Sequence, residues 1–259
     1  MTLEMGLLGG RYGGNMPPDS RAPLTEFVRC GKDCYATLMY EFESDGLSLF
    51  PNACAIEELE QIEAALMNVA RDVAGVRLHD ILALVEPLSS EGCIGHVAAS
   101  LVGCDARPVR AILFDKTETT NWNLGWHQDR TIVVQQRIEV AGFGPWTVKA
   151  GLQHVAPPIK ILEDMVTLRL HLDAVDEQNA PLMVAKGSHR FGRIPEQDIS
   201  EVVRQSEILC CKAARGDVWA YSTLVLHASE PSIKPSHRRV LQVDYSVATL
   251  PGKLEWLGI

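Results

Sequence analysis

The chain has 259 residues, of which 46% are hydrophobic and 22% are charged. This balance is that of a folded globular protein, and it excludes collagen-like, coiled-coil and wholly disordered chains. The 33 acidic residues outnumber the 24 basic ones and give a formal charge of −9, so neither nucleic-acid binding nor attachment to anionic lipid is expected.

The start of the chain and its cysteines bear on its location. The opening segment, MTLEMGLLGGRYGG, has neither the basic start nor the long apolar stretch of a signal peptide. No apolar run reaches the ~20 residues that a membrane span requires. The 7 cysteines are an odd number, which fits a disulfide framework poorly, and we expect reduced, mostly buried thiols. These features predict a cytoplasmic protein.

The first part of the chain is predicted to be an arm followed by helices. Residues 1–25 are rich in glycine and proline, and we expect them to form a flexible arm. Residues 45–52 predict a turn, a short strand and a helix start. Apolar residues recur every three to four positions over 56–73 and predict a helix, with Asn52 as its cap and Gly75 as its stop. Two shorter helices are expected, over 79–85 and 94–102.

After residue 105 the sequence changes to short runs of β-favouring residues separated by glycine, proline, asparagine and aspartate. The predicted strands cover 109–114, 131–136, 165–172, 182–185, 207–212, 217–221, 223–227 and 239–247. One helix, over 196–205, interrupts them. Strands without regularly intervening helices favour a barrel or jelly roll over a parallel α/β sheet. We therefore expect a mainly β protein with flanking helices, forming one domain over 26–259 in which the N-terminal helices buttress the barrel.

The sharpest chemical feature is the segment Trp126-His127-Gln128-Asp129. Residues two apart on a strand point to the same face, so His127 and Asp129 can direct an imidazole and a carboxylate at one point. His227 is the best candidate for a third ligand. Two histidines and one carboxylate on one face of an octahedron are typical of non-haem Fe(II) oxygenases. Taken alone, His-x-Asp occurs by chance, and a surface pair in a loop is the competing interpretation.

A second feature is Arg238, which lies eleven residues after His227, at the next predicted strand. Its guanidinium can reach back along the barrel interior and hold a carboxylate with two parallel hydrogen bonds. An enzyme that uses 2-oxoglutarate needs such an arginine for the distal carboxylate of that co-substrate. Ser229 faces the same way as His227 and can add a hydroxyl contact, whereas Arg239 alternates to the opposite side.

Two further motifs complete a set. Residues 179–189 read NAPLMVAKGSH, and Gly216 and Asp217 form a turn that leads into a strand. With the motifs above, the chain resembles the phytanoyl-CoA dioxygenase (PhyH-like) family over about residues 45–247. The resemblance implies a double-stranded β-helix, which is a cupin-like jelly roll, with Fe(II), 2-oxoglutarate and O2. It also implies hydroxylation of an unactivated C–H bond of a small organic substrate, with succinate and CO2 as co-products.

The chain departs from the family pattern in its turns. Lys186 replaces the family's proline before Gly-Ser-His, and Ala180 replaces the glycine after asparagine. Asp129 is retained where halogenating relatives carry a small residue, which favours hydroxylation. The resemblance also places a co-substrate contact near Arg169, and Lys116, at the end of its strand, can reach a carboxylate. A structural ion pair and an exposed lysine are the competing interpretations of these last two residues.

The segment over 117–158 is interpreted as a long loop that closes over substrate as a lid. It carries Arg130 and Arg137, which suit an anionic group, and Trp146 and His154, which can contact substrate. Packing of the loop by its tryptophans is an equally supported interpretation.

Two alternative functions stay open at this point. A cupin-type metal enzyme that does not use 2-oxoglutarate would keep the three ligands without needing Arg238. A non-catalytic binding protein on the same scaffold is disfavoured by the complete set of ligands and by that arginine. In each case we expect a small molecule as the partner, and neither nucleic acid nor a membrane.

Overall fold

A computed structural model describes residues 40–70, 73–234 and 237–259. The arm predicted over 1–25 lies outside the described residues, so the division of the chain into an arm and one domain stays a prediction. Within the described ranges, no helix is long and apolar enough to cross a membrane.

The described residues contain six α-helices and two short 3-10 turns. The helices are α1 (Phe42–Asp45), α2 (Ile56–Ala65), α3 (Leu82–Leu88), α4 (Cys93–Val102), α5 (Ile159–Glu163) and α6 (Ile199–Gln205). The 3-10 turns cover Ser188–Phe191 and Glu196–Asp198. All three predicted N-terminal helices exist, as α2, α3 and α4. The helix predicted over 196–205 is a 3-10 turn followed by α6.

Helix α2 is shorter than predicted and has a different cap. It ends at Ala65, because the chain then tightens into turns closed by hydrogen bonds between residues three apart. Its first turn is capped by Glu58, whose carboxylate accepts the N–H of Ala55 at 2.7 Å. Asn52, the predicted cap, has a φ of 49° and donates its own N–H to the carboxylate of Asp217 at 2.9 Å. Asn52, the cap predicted from the sequence, therefore lies in a turn before the helix.

Thirteen strands in the described residues form three antiparallel sheets. They are β1 (Leu47–Phe50), β2 (Gly75–Leu78), β3 (Arg107–Lys116), β4 (Leu124–His127), β5 (Ile132–Val134), β6 (Trp146–Lys149), β7 (Leu152–Val155), β8 (Met165–His171), β9 (Leu182–Ala185), β10 (Ile208–Cys211), β11 (Val218–Ser222), β12 (His227–Ser229) and β13 (Arg238–Ser246). The largest sheet has six strands in the order β1-β11-β8-β13-β3-β2. A four-stranded sheet, β10-β9-β12-β4, and a three-stranded sheet, β5-β7-β6, accompany it. This is the mainly β arrangement with flanking helices that the sequence predicts.

The two faces of the six-stranded sheet differ in chemistry, and the difference follows the alternation of the sequence. In β8, Leu168 and Leu170 are fully buried on the face that packs against α2, α3 and α4. Thr167, Arg169 and His171 point to the opposite face. Each fully buried leucine contributes about 1.5–3 kcal/mol relative to an exposed one, so the apolar face stabilises the sheet. The polar inner face is left for a functional site.

An apolar cluster joins the six-stranded sheet to the four-stranded sheet. Leu47 of β1 and Trp219 and Tyr221 of β11 pack there against Leu182 and Val184 of β9. The inner faces of the two sheets are thereby held against each other. Polar side chains farther along the same strands are enclosed between them.

The segment over 117–158 is not the irregular loop that the sequence indicates. It contains β4, β5, β6 and β7, and the last three form the three-stranded sheet. The apolar side of this sheet packs against Leu162 and Trp256. Strand β5 confirms the strand predicted over 131–136. The other three are missed because LGWH and LQHV show no clean alternation of apolar and polar residues, and because WTVK alternates over only four residues.

The strand predicted over 223–227 is wrong, because its middle forms a turn. The N–H of Val225 donates to the carbonyl of Ser222 at 2.9 Å and closes that turn. Strand β12 begins only at His227, so this histidine stands at the first position of its strand.

Cys54 and Cys93 form a disulfide, so the expectation of reduced thiols is wrong for this pair. They are 39 residues apart in sequence and meet because the segments of α2 and α4 pack on the same face of the six-stranded sheet. Among the described residues, Cys104, Cys210 and Cys211 are free thiols. The cytoplasmic location loses part of its support and stays a prediction.

Candidate metal and co-substrate site

His127 and His227 are paired directly across the ladder between β4 and β12, and their ring centroids are 4.2 Å apart. The Nδ1 atom of His127 lies 2.8 Å from the carbonyl of Gly125, and that of His227 lies 3.0 Å from the carbonyl of Val225. Each carbonyl accepts a hydrogen bond from Nδ1–H, so each ring presents the lone pair of Nε2. Both imidazoles are thus fixed in the tautomer that a metal ligand needs.

Asp129 follows β4 and supplies a carboxylate beside these two rings. Burial raises the pKa of Asp129, but the charges of Arg110, His227 and His127 outweigh burial and lower it to about 2. Arg110 donates from Nη2 to Oδ2 of Asp129 at 3.0 Å. At neutral pH the third member of the predicted triad is therefore a carboxylate.

The donor set of the triad fits Fe(II). Two imidazole nitrogens and one carboxylate oxygen are the ligands that such iron sites use, and they leave other coordination positions open. The hydrogen bonds from each Nδ1 to a backbone carbonyl are the outer contacts that orient metal-binding histidines. In the part of the chain that the structure describes, no three His, Cys, Asp or Glu side chains already stand in metal-binding geometry. Metal binding at the predicted triad would therefore require its side chains to adjust.

Arg238 and Lys116 form the start of a buried cationic pocket. They are paired across the ladder between β13 and β3, and Arg238 is only 2% exposed. Arg238 donates to the carbonyl of Ala180, and Lys116 donates to the hydroxyl of Ser229 at 3.0 Å and to the carbonyl of Glu230 at 2.6 Å. Burial, followed by the charges of Arg238 and Arg169, lowers the pKa of Lys116 to about 7. The alternative of an exposed lysine is therefore wrong.

Arg169 and His171 extend this pocket along β8. Arg169 donates to Oε1 of Gln242 at 2.7 Å, and the Nε atoms of Arg169 and Arg238 have no hydrogen-bond partner in the described residues. Neither ring nitrogen of His171 has one, and burial, Arg169 and Arg238 hold its pKa well below the usual value. Among the described residues, no carboxylate forms a salt bridge with Arg169, Arg238 or Lys116. Buried unpaired cations are costly, so the pocket suits an anionic ligand.

His154 and Arg77 present unpartnered nitrogens near the other side of the triad. His154 lies on β7 and is 1% exposed, and neither of its ring nitrogens has a hydrogen-bond partner in the described residues. Burial and the charges of Arg110, Lys149 and Arg77 lower the pKa of His154 to about 4 against the opposing charge of Asp129. The Nε atom of Arg77 on β2 is also buried and unpartnered. This second set of unsatisfied groups is suited to a polar substrate group.

The other predicted substrate residues have different surroundings. Arg130 donates to the carbonyl of Ile194 and lies 3.7 Å from the carboxylate of Glu196. Arg137 is exposed and donates to Glu139 at 2.6 Å. Its guanidinium lies 5.5 Å from the ring centre of Trp146, whose buried Nε1 has no hydrogen-bond partner in the described residues. These contacts give both arginines protein partners, and their role toward substrate stays a prediction.

Arg77, Arg110 and Gln242 are site residues that the sequence reading misses. The alternation of the predicted strand over 109–114 puts Arg110 on one face with Ile112, so its direction is readable. Its partners are not readable, because Asp129 and Asp244 come from other parts of the chain. Arg77 is hidden because β2 lies where the sequence predicts a helix stop.

The pattern of motifs corresponds to a known family. A family model described as phytanoyl-CoA dioxygenase (PhyH) matches residues 42–240. The chain belongs to this family. The PhyH family uses Fe(II), 2-oxoglutarate and O2, so this PhyH protein is an Fe(II)/2-oxoglutarate-dependent dioxygenase.

Solved structures confirm the jelly-roll fold. The apo form of EctD from S. alaskensis superposes with a TM-score of 0.59 at 17% identity, covering 79% of this chain and 74% of that one. The non-heme alpha ketoglutarate dependent carbocyclase SnoK from nogalamycin biosynthesis gives a TM-score of 0.57 at 15% identity, covering 79% and 81%. HygX from Streptomyces hygroscopicus, with nickel and 2-oxoglutarate bound, gives 0.54 at 13% identity, covering 79% and 84%. No curated protein sequence matches the chain.

Proposed function

We propose that this PhyH protein hydroxylates an unactivated C–H bond of a small organic substrate, with His127, Asp129 and His227 holding the iron and Arg238 anchoring 2-oxoglutarate. The observation that carries the proposal is the buried cationic pocket of Arg238, Lys116 and Arg169, which lacks a described carboxylate partner and lies beside the paired histidines. HygX and EctD, which share the fold, have been solved with 2-oxoglutarate bound.

The triad would hold the metal through Nε2 of each histidine and one oxygen of Asp129. When bound, iron supplies the oxidising chemistry that couples O2 to the breakdown of 2-oxoglutarate and to attack on substrate. The protein contributes fixed tautomers and a stable carboxylate. A carboxylate at this position, where halogenating relatives have a small residue, supports hydroxylation as the outcome.

The cationic pocket would bind the distal carboxylate of 2-oxoglutarate. Arg238 offers a planar fork of donors, and Lys116, held by Ser229, adds a second charge. Arg169 is positioned by Gln242 and contributes positive charge from the neighbouring strand. The negative charge of 2-oxoglutarate would neutralise the buried cations of this pocket. Its binding would therefore be favourable in the buried interior.

Substrate would occupy the side of the triad near the three-stranded sheet. His154 and Arg77 present nitrogens there that have no hydrogen-bond partner among the described residues. Trp146 is paired with Val155, so its side chain points to the opposite face of the sheet from His154. Because His154 is neutral at physiological pH, it can donate one hydrogen bond and accept another. This arrangement suits a small molecule that carries an acceptor oxygen, and an anionic oxygen most of all.

The test is 2-oxoglutarate turnover by the purified protein with Fe(II) and ascorbate, read as succinate formed in the presence of a pool of small metabolites. We expect succinate formation that requires 2-oxoglutarate and is lost in Asp129→Ala and His227→Ala. His79→Ala is the control, because His79 is an exposed histidine whose ion-pair partner among the described residues is the neighbouring Asp80. Turnover that persists without 2-oxoglutarate would favour the cupin-type alternative.

A further inference from the structure

Arg110 joins a triad residue to a second buried carboxylate. Its Nη2 donates to Oδ2 of Asp129 at 3.0 Å, and its Nε lies 2.6 Å from Oδ2 of Asp244 on β13. Arg110 and Asp244 are paired across the ladder between β3 and β13. Asp244 is itself held by the hydroxyl of Thr167, at 3.1 Å from its Oδ1. The carboxylate of Asp129 is therefore linked through Arg110 to Asp244, on a central strand of the six-stranded sheet.

We propose that Arg110 is a positioning residue that presents Asp129 to the metal through a single oxygen. The guanidinium occupies Oδ2, so among the described contacts Oδ1 is the oxygen left free for a cation. The ion pair with Asp244, whose Oδ2 lies 2.6 Å from Nε without hydrogen-bond geometry, restrains the guanidinium, and through it the carboxylate of Asp129. This inference rests on the proposed ligand set, because it assigns the orientation of one of those ligands.

Asp244 has its own part in this arrangement. A guanidinium next to a divalent cation repels it, and the repulsion is strong in a buried site. The negative charge of Asp244 neutralises the positive charge of Arg110, so the pair does not repel a metal cation. Thr167 keeps Asp244 in place and also contacts the hydroxyl of Thr223, with 3.2 Å between the two oxygens. Loss of the charge on Asp244 should therefore weaken metal binding although Asp244 is not a ligand.

The experiment is an anaerobic titration of Co(II) into the wild-type protein and three variants, followed by the visible spectrum of the bound metal. Arg110→Lys keeps the charge but cannot span two carboxylates, and Asp244→Asn keeps the shape but removes the charge. Arg239→Lys is the matched control, because Arg239 also bridges two carboxylates, Asp173 and Glu63, but on the outer face of the sheet. The melting temperature of each metal-free variant is measured in parallel.

We expect Arg110→Lys to weaken Co(II) binding by about 10- to 100-fold and to change the spectrum of the bound ion, as loss of an outer contact to a metal ligand does. Asp244→Asn should weaken Co(II) binding in the same direction, and Arg239→Lys should leave affinity and spectrum unchanged. If Arg110→Lys does not fold, Asp244→Asn decides the question alone. Wild-type affinity and spectrum in both site variants would overturn the role of Arg110. Failure of the wild-type protein to bind Co(II) would instead overturn the proposed metal site.

Discussion

His127 and His227 stand directly opposite each other in one antiparallel ladder, with their ring centres 4.2 Å apart. A register shift of a single residue in either strand would turn one ring to the other face of the sheet. The pairing of β4 with β12 therefore determines whether the two proposed metal ligands face each other. Both Nδ1 atoms face the backbone carbonyl two residues earlier in the chain, so the local backbone fixes the tautomer as well as the position.

Replacing Arg238 should impair the use of 2-oxoglutarate without removing the metal site. Arg238→Met deletes the buried fork of donors, and loss of one partner from a buried charge pair costs about 2 kcal/mol or more, which is roughly a 30-fold rise in KM for 2-oxoglutarate. Initial rates of succinate formation at varied 2-oxoglutarate measure this. Arg239→Met, on the outer face of the same strand, should leave KM unchanged. An unchanged KM in Arg238→Met would remove this residue from the co-substrate site.

The affinity for 2-oxoglutarate should fall as pH rises above about 7. Burial and two nearby arginines lower the pKa of Lys116 to about 7, so the free protein loses this charge near neutral pH. The dianion favours protonated Lys116, so binding is strongest below that pKa and weakens by up to about tenfold per pH unit above it. Titration of 2-oxoglutarate between pH 6 and 9 measures the trend. Lys116→Met should flatten it, whereas Lys212→Met, at an exposed lysine, should not.

The same lysine should make the ligand-free protein less stable. Burying the charge of Lys116 beside Arg238 and Arg169 is unfavourable, so Lys116→Met should raise the melting temperature without ligand at pH 6. The sign follows from linkage. Because the pKa of Lys116 is lower in the folded state, the unfolded chain binds more protons above about pH 7, and stability rises with pH over that range. Thermal melts with and without 2-oxoglutarate measure both effects. A lower melting temperature in Lys116→Met would contradict the charge repulsion inferred between the buried cations of this pocket.

Helix α3 offers a matched pair of leucines that tests the packing of the helices on the sheet. Leu84 is 0% exposed and Leu82 is 86% exposed. Leu84→Ala should lower the free energy of unfolding by about 2–5 kcal/mol, because it leaves a cavity in the core. Leu82→Ala should change it by no more than about 0.5 kcal/mol. Equal losses in a urea titration of the two variants would contradict the placement of this helix.

The Cys54–Cys93 disulfide should contribute measurably to stability. It closes a loop with a sequence separation of 39 residues, for which the loss of chain entropy in the unfolded state corresponds to about 4 kcal/mol. Reduction, or a Cys54→Ser/Cys93→Ser double substitution, should lower the melting temperature, and 2-oxoglutarate affinity should stay the same because the pair lies on the helical face. Cys104→Ser is the control at an exposed thiol. A melting temperature that does not respond to reductant would mean that the bond is absent in solution.

Local patterns were enough to propose His127, Asp129 and His227 as metal ligands and Arg238 as the co-substrate arginine. Alternation predicted that His127 and Asp129 point the same way, although β4 ends at His127 and Asp129 follows it, and Arg238 begins the strand after His227. The cationic pocket required more, since the burial of Lys116 depends on the pairing of β3 with β13, which no local pattern reveals. The disulfide and the contacts of Arg110 were not predicted for the same reason, because they join segments that are far apart in sequence. Strands β6 and β7 were missed because short, partly exposed strands carry little periodicity.

The central claim, that the histidine pair and Arg238 form one site for iron and 2-oxoglutarate, is tested most directly by anaerobic absorbance. Adding 2-oxoglutarate to the Fe(II)-loaded protein should produce the weak visible charge-transfer band of the chelated complex. We expect the band to be absent in His227→Ala, to need a much higher 2-oxoglutarate concentration in Arg238→Met, and to be normal in His79→Ala. A band of wild-type intensity and midpoint in both His227→Ala and Arg238→Met would contradict the account.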